Sequence, residues 1–193
     1  MNSDLYVDGD EKFGALTSLM YSLFAPIGKS RYRIIVEDLN DLNGKKVLDI
    51  GCGPAIVEEL IASKFLNVQV YGIDPSPQMI KYATKRIKKK HLDNRVKIAL
   101  GSSREILFDE KFDLIISSFS YHHWKDGKDS IPAFRNYLKD GGTIAIYEFD
   151  NDNSRLKTSH GASEAQWNEL HVEGFNKKID HKKGFIILRL SRV

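Results

Sequence analysis

The chain has 193 residues, 41% of them hydrophobic, and a formal net charge of +3 with acidic and basic residues interleaved. This length suits one α/β domain with a full core and is too short for two ordinary domains and a linker. The small positive excess does not by itself indicate nucleic-acid binding, and the single cysteine, Cys52, excludes an intrachain disulfide.

The first residues do not read as a targeting segment. Asn2, Ser3 and Asp4 are not part of a basic region followed by an apolar run, and no stretch reaches the roughly 18 apolar residues that span a bilayer. A chain with one cysteine suits a reducing compartment. We therefore expect a cytoplasmic protein without membrane insertion.

Helices and strands alternate along most of the chain. Apolar residues at spacings of three and four between Phe13 and Leu39 predict two amphipathic helices, divided by Pro26 and Gly28. Strands are then predicted at 47–50, 68–73, 95–100, 112–118 and 143–149, with helices at 54–66, 77–90 and 128–139. Such alternation requires crossover connections, so the sheet is mainly parallel and covered by helices on both faces. Its ligands bind beyond the carboxyl ends of the strands.

The pattern changes after residue 150. A polar stretch at 151–163 leads into a helix near 165–172, and two strands at 175–181 and 185–190 flank Lys182-Lys183-Gly184. Strands joined by so short a turn are antiparallel. The predicted fold is a single α/β domain whose seven-stranded, mainly parallel sheet ends in an antiparallel hairpin.

Residues 47–55 (VLDIGCGPA) run from a buried strand through a tight turn into a helix. Gly51 and Gly53 allow the backbone to approach a ligand closely. A dinucleotide-binding fingerprint needs a third glycine, but Ile56 stands there, and Pro54 lacks an N–H that a pyrophosphate would use. The loop therefore favours a ligand edge without phosphate.

Asp74 ends the second predicted strand. A carboxylate at this position can accept hydrogen bonds from both hydroxyls of a ribose. We take Asp74 as the main ligand-binding residue and expect Ser76 to cap the following helix.

These segments resemble the class I S-adenosylmethionine-dependent methyltransferases, in particular the small-molecule branch that contains ubiquinone and menaquinone biosynthesis enzymes. Residues 47–55 are similar to the family's first motif and residues 71–80 to its second. Residues 101–108 stand at the third motif, with Ser102 in place of an aspartate that usually contacts adenine. Residues 112–124 are similar to the fourth strand and the loop beyond it on the substrate side.

The resemblance implies a Rossmann-like methyltransferase domain over residues 1–193, with S-adenosylmethionine as cofactor and no metal. Within it, residues 1–42 would form a helical lid or substrate segment, 45–150 the cofactor-binding core, and 151–193 a helix and the terminal hairpin. The implied cofactor contacts are to the methionine moiety by Asp49, Gly51, Cys52 and Gly53, to the ribose by Asp74, to the adenine region by Pro75, Met79, Ser102 and Ser103, and at the end of the fourth strand by Ser118 and Phe119.

Methyl transfer is an in-line displacement that mainly requires an aligned nucleophile. An acceptor hydroxyl must lose its proton, and a neutral imidazole suits that task near neutral pH. His122 and His123 are therefore candidate catalytic bases, with side-chain packing as the competing interpretation. Glu148 can orient an acceptor or simply be solvated.

Several alternatives stay open. A nicotinamide-dependent oxidoreductase would share the loop and the acid but is disfavoured by Ile56. The sequence 118–121 (SFSY) lacks the Asn/Asp-Pro-Pro-Tyr/Phe pattern of nucleobase-amino and glutamine-amide methyltransferases, so those subclasses are not expected. The N-terminal helices and the stretch at 150–163, which would select the acceptor, are too small to close over a macromolecule, so we expect a small-molecule acceptor and no nucleic-acid partner. An RNA or protein acceptor, with RNA contacting the basic run at 85–90, and a non-catalytic S-adenosylmethionine-binding protein are the other readings. Both a monomer and a homodimer are compatible with the sequence.

Overall fold

A computed structural model describes residues 29–124, 127–154 and 157–193. Its helices are α1 (Lys29–Asp38), α2 (Ile56–Lys64), α3 (Pro77–Lys89), α4 (Gly127–Ala133) and α5 (Glu164–Glu169), with short 3-10 turns at Tyr121–His123 and Phe134–Tyr137. Its strands are β1 (Lys46–Ile50), β2 (Gln69–Asp74), β3 (Val96–Leu100), β4 (Phe112–Ser118), β5 (Leu138–Asp150), β6 (Gly161–Ala162), β7 (Phe175–Lys182) and β8 (Phe185–Arg192). Within the described ranges, no helix is both long and apolar enough to cross a membrane.

The sheet has the order β3-β2-β1-β4-β5-β8-β7. Neighbours from β3 to β5 are parallel, and β8 is antiparallel to both β5 and β7. The predicted α/β class, the mainly parallel sheet and the terminal hairpin are confirmed. The strand order reverses at β1 and β4, and the crevice at such a point is where ligands bind in open α/β sheets.

Several elements differ from the sequence predictions, including β5, which begins at Leu138 rather than at residue 143. The sheet has eight strands rather than seven, because β6 pairs with the end of β5 inside the polar stretch. The helix predicted at 128–139 ends at Ala133, and a 3-10 turn connects it to β5. Pro132 lies inside this helix and has no N–H for the carbonyl four residues earlier, which weakens the α-helical turn. The last helix ends at Glu169 instead of residue 172.

Two apolar layers cover the faces of the sheet. Successive residues of β1 point to opposite faces: Val47 belongs to the layer with Ile35 of α1, and Leu48 to the layer with Trp167 of α5. All four side chains are at most 2% exposed. This packing fixes the carboxyl ends of β1, β2, β4 and β5, from which the candidate site is built. The first of the two predicted N-terminal helices lies outside the described residues, whereas α1 corresponds to the second.

Candidate functional site

The loop after β1 has a backbone that side chains would obstruct. Gly51 and Gly53 have φ values of 80° and 51°. A Cβ atom on Gly51 would overlap the Oγ atom of Ser120, which itself donates a 2.8 Å hydrogen bond to the carbonyl oxygen of Ile50. The predicted need for glycine at position 51 therefore has two causes, left-handed backbone and close packing.

Asp74 joins the end of β2 to this loop. Its Oδ2 atom accepts a 2.9 Å hydrogen bond from Gly53 N, and its Oδ1 atom accepts a 2.9 Å bond from Ser76 N. Burial raises the pKa of Asp74 to about 6, against the lowering effect of these two N–H groups. Each carboxylate oxygen retains a second lone pair for a ligand. Ser76 caps α3 as predicted, since its Oγ accepts from Met79 N.

A cleft opens at the carboxyl ends of β1 and β4, which we call the β1 cleft. It encloses about 270 Å³ including its mouth and is lined by Tyr32, Asp49, Gly51, Cys52, Gly53, Pro54, Ile56, Val57 and Ser118. The structure thus brings together five of the residues assigned to the cofactor from sequence. Tyr32 of α1 was not identified, because its only sequence signal is helical spacing.

One buried carboxyl group, Asp49, lines this cleft, and a second, Glu58, lies beside Asp49. They are 1% and 0% exposed, and among the described residues no hydrogen-bond partner satisfies Asp49 Oδ1 or either Glu58 oxygen. Burial raises the pKa of both carboxyls, and the nearby charge of Asp49 adds to the effect on Glu58. An unpartnered carboxylate oxygen in the wall of a cleft favours a ligand that carries positive charge or N–H donors.

The other predicted cofactor residues lie next to the β1 cleft rather than in its wall. Pro75 follows β2, and Met79 is buried in α3 at 1% exposure. Ser102 and Ser103 follow β3 and are both buried; Ser102 Oγ accepts a 3.3 Å hydrogen bond from Arg104 N, and Ser103 Oγ accepts a 3.4 Å bond from Ser130. Ser102 and Ser103 therefore lie just beyond the carboxyl end of β3.

Ser118 and Phe119 have different environments although they are adjacent. Ser118 Oγ is buried in the wall of the cleft, and none of the residues that the structure describes forms a hydrogen bond with it. Phe119 has φ 57° and stacks on Phe149 with ring centroids 4.6 Å apart, while Tyr32 meets its ring edge-on at 5.8 Å. Phe119 thus supports the cleft through Tyr32.

The predicted catalytic histidines lie at the end of β4. His122 Nδ1 is 3.0 Å from Glu148 Oε2, and the backbone N–H of His122 donates to Oε1 at 3.3 Å. Glu148, on β5, is fully buried; burial raises its pKa, against the lowering effect of His122. The rings of His122 and His123 have centroids 4.0 Å apart. His160, 38 residues further along the chain, places Nδ1 2.8 Å from His122 Nε2. No sequence pattern indicated that contact.

Comparisons with known proteins agree with this geometry. Residues 47–142 match a family model described as a methyltransferase domain. The chain is 28% identical to a malonyl-[acyl-carrier protein] O-methyltransferase of Priestia megaterium over 68% of this chain and 47% of that protein. It is also 28% identical to a demethylmenaquinone methyltransferase of Thermotoga maritima over 77% and 61% of the two chains. The chain therefore spans about half the length of the first of these curated relatives.

The fold has similar solved structures. A SAM-dependent methyltransferase from Aquifex aeolicus superposes with a TM-score of 0.76, at 16% identity, over 94% of this chain and 100% of that one. At this identity the likeness concerns the fold.

Proposed function

Because the chain belongs to the class I S-adenosylmethionine-dependent methyltransferase family, we propose that it transfers a methyl group from S-adenosylmethionine to a small-molecule acceptor. The main supporting observation is the connection between Asp74 and Gly53, which sets a buried carboxylate beside the glycine loop at the mouth of the β1 cleft. This is the arrangement that a ribose and its neighbouring groups require.

The residues of the β1 cleft fit the cofactor. S-adenosylmethionine, when bound, supplies a methyl group on a positively charged sulfur atom. The remaining lone pairs of Asp74 would accept from the ribose hydroxyls, and Asp49 Oδ1, which has no hydrogen-bond partner within the described part of the chain, would accept from the amino group of the methionine moiety. Gly51 and Gly53 leave room for that moiety against bare backbone. A net positive ligand would also lower the cost of the buried carboxyls.

We propose His122 and His123 as the groups that act on the acceptor. With Glu148 accepting from His122 Nδ1–H, His122 Nε2 would carry the lone pair, which an acceptor would have to take over from His160 Nδ1, 2.8 Å away. For a hydroxyl acceptor, one of these imidazoles would take the proton while the oxygen forms its bond to the methyl carbon. The carbon–sulfur bond breaks in the same step, and its electron pair stays on sulfur.

A small acceptor is supported by the relative named for demethylmenaquinone. The name of the Priestia megaterium relative describes an acceptor attached to a carrier protein, so a small acyl group presented by a protein is included in the proposal. Cytoplasmic location, the absence of a nucleic-acid partner and a monomeric or homodimeric state remain predictions.

Calorimetric titration with S-adenosylmethionine, S-adenosylhomocysteine and NAD tests the cofactor assignment. We expect binding of the first two only, weakened by about 2 kcal/mol or more in Asp74→Ala because a charged hydrogen-bond partner is lost. Asp93→Ala, which removes an exposed carboxylate, should bind normally. Binding of NAD, or unchanged affinity in Asp74→Ala, would refute the assignment. Methyl transfer to a panel of phenols, acids and acyl thioesters then separates an enzyme from a non-catalytic binding protein.

A further inference from the structure

Three imidazoles converge beside the β1 cleft. The histidine cluster consists of His122 and His123, from the 3-10 turn after β4, and His160, from the segment before β6. One ring nitrogen from each lies within 4.8 Å of the others. The ring centroids of His122 and His160 are 4.8 Å apart, and those of His123 and His160 are 5.7 Å apart. Three imidazoles with their nitrogens this close can provide the ligand set of a tetrahedral metal site with one position open.

Glu148 orients the cluster from behind. Its side chain is 1% exposed, and its Oε2 atom lies 3.0 Å from His122 Nδ1. A carboxylate in this position holds the proton on Nδ1, so the lone pair of Nε2 points toward His160. Metal-binding histidines commonly have such a carboxylate behind them, and it fixes both tautomer and ring orientation.

The spacing is close to what a metal ion requires. Nitrogen ligands of tetrahedral zinc, at about 2.1 Å from the ion, are about 3.4 Å from one another. His122 Nε2 and His160 Nδ1 are 2.8 Å apart, and the widest separation in the cluster is 4.8 Å. Binding one ion would require rotations of the partly exposed His123 and the exposed His160 that equalise these distances.

We propose that His122, His123 and His160 bind one divalent transition-metal ion, such as Zn²⁺, on the acceptor side of the methyl-transfer site. The proposal deepens the proposed function and rests on it. The cluster leaves one position for water or for an oxygen of the acceptor. An ion there would lower the pKa of an acceptor hydroxyl, so that no imidazole has to take the proton. The general-base role of His122 and the metal-ligand role use the same nitrogen lone pair and exclude one another.

The location supports this role. Ser118, four residues before His122, lines the β1 cleft, and Ser120 packs against Gly51 of the glycine loop. The ion would therefore lie at the carboxyl ends of β4 and β5, adjacent to the place proposed for the cofactor. An ion at this position would favour acceptors that react through oxygen, since a borderline Lewis acid polarises an oxygen that is about to lose its proton.

Titration of the purified metal-free protein with Zn²⁺, followed by calorimetry and by Co²⁺ substitution spectra, tests the site. We expect one ion per chain at micromolar affinity or tighter, with a tetrahedral Co²⁺ spectrum. His160→Ala should weaken binding at least about tenfold, and Glu148→Gln by about 10- to 100-fold. His171→Ala, which removes an exposed histidine outside the cluster, should leave the titration unchanged.

Folding and cofactor binding are measured on the same variants. His160 is exposed, so His160→Ala should melt at the wild-type temperature and bind S-adenosylhomocysteine normally. Absence of stoichiometric Zn²⁺ binding, or equal binding by His160→Ala and wild type, would overturn the metal site and leave a chain of hydrogen-bonded histidines. Failure to bind S-adenosylmethionine with intact Zn²⁺ binding would refute the proposed function instead.

Discussion

Arg86 Nε donates a 2.7 Å hydrogen bond to the carbonyl oxygen of Pro54. The same guanidinium pairs through Nη1 with Glu59 Oε2 at 2.9 Å. A residue of the basic run at the end of α3 is thereby attached to the glycine loop after β1, while Lys85, Lys88 and Lys89 are exposed. Arg86 is therefore a positioning residue for the loop, whereas the exposed lysines of the run are the solvated end of the helix.

Arg86→Ala is expected to lower the free energy of unfolding by about 2 kcal/mol, because a partly buried charged hydrogen bond is lost. Glu59 keeps Lys29 at 3.0 Å as a partner, so the loss stays moderate. Affinity for S-adenosylhomocysteine should fall as the loop loosens. Urea denaturation and calorimetry measure both effects, with Lys88→Ala, of equal charge change, as the control. Identical behaviour of the two variants would contradict the positioning role.

Cofactor binding should weaken in acid through Asp74. Burial raises its pKa to about 6, and only the ionised carboxylate accepts from both ribose hydroxyls. Affinity for S-adenosylhomocysteine is therefore expected to be constant above about pH 7 and to decline below about pH 6. Asp74→Asn should bind weakly at every pH, without this decline. A wild-type affinity that stays constant down to pH 5 would contradict the prediction.

Gly51→Ala is expected to cost both backbone strain and steric overlap, whereas Gly44→Ala should cost backbone strain alone. Both glycines have left-handed φ values, 80° and 70°, but a Cβ on Gly44 meets nothing within 4 Å. We expect Gly44→Ala to cost about 1 kcal/mol from backbone strain, and Gly51→Ala about 3 kcal/mol because Ser120 must also move. Only Gly51→Ala should lose cofactor affinity. Equal urea midpoints for the two variants would show that Ser120 accommodates the methyl group.

The free energy of unfolding is expected to fall as the pH rises, because of the buried carboxyl group of Glu58. Burial raises its pKa well above the ordinary value, so the folded state keeps a proton that the unfolded chain releases above about pH 4.3. The stability from this group is present in acid and is lost as the pH rises. Glu58→Gln should therefore lose less stability than wild type between pH 5 and pH 9, on the order of 1 kcal/mol. Glu173→Gln, which changes an exposed carboxylate, should show the wild-type dependence of unfolding free energy on pH. The same dependence in Glu58→Gln would mean that Glu58 is ionised in the folded protein.

Asp150 has the opposite dependence on pH. Burial opposes ionisation, but hydrogen bonds from Asn153, from His181 at 2.7 Å and from two backbone N–H groups lower its pKa to about 2. Its contribution of about 2 kcal/mol is complete above the unfolded value near 3.9 and disappears as the pH falls toward 2. Asp150→Asn should cost that amount at pH 7 and nothing at pH 2. The exposed Asp109→Asn should be neutral; a pH-independent cost in Asp150→Asn would contradict the assignment.

Local sequence signals predicted most of the fold and five of the residues that line the β1 cleft. The buried strand and the glycine loop within residues 47–55 were recognisable from consecutive residues, although Ser120, Asp74 and Arg86 also hold the loop in place. The position of Asp74 at the end of β2 was also predicted, because the carboxyl ends of parallel strands lie at one edge of the sheet. The end of α4 was predicted too late in the chain, since the apolar pattern continues beyond Pro132.

Contacts between side chains of different helices, strands and loops were determined only by the tertiary structure. Tyr32 reaches the β1 cleft because α1 packs against α2, and no spacing in the sequence records that position. Asp49 faces Glu58, and His160 meets His122, for the same reason: these side chains come from different elements whose meeting depends on strand order and loop path. Periodicity along a chain determines which face of an element is buried, whereas chemistry between elements depends on where packing brings their ends together.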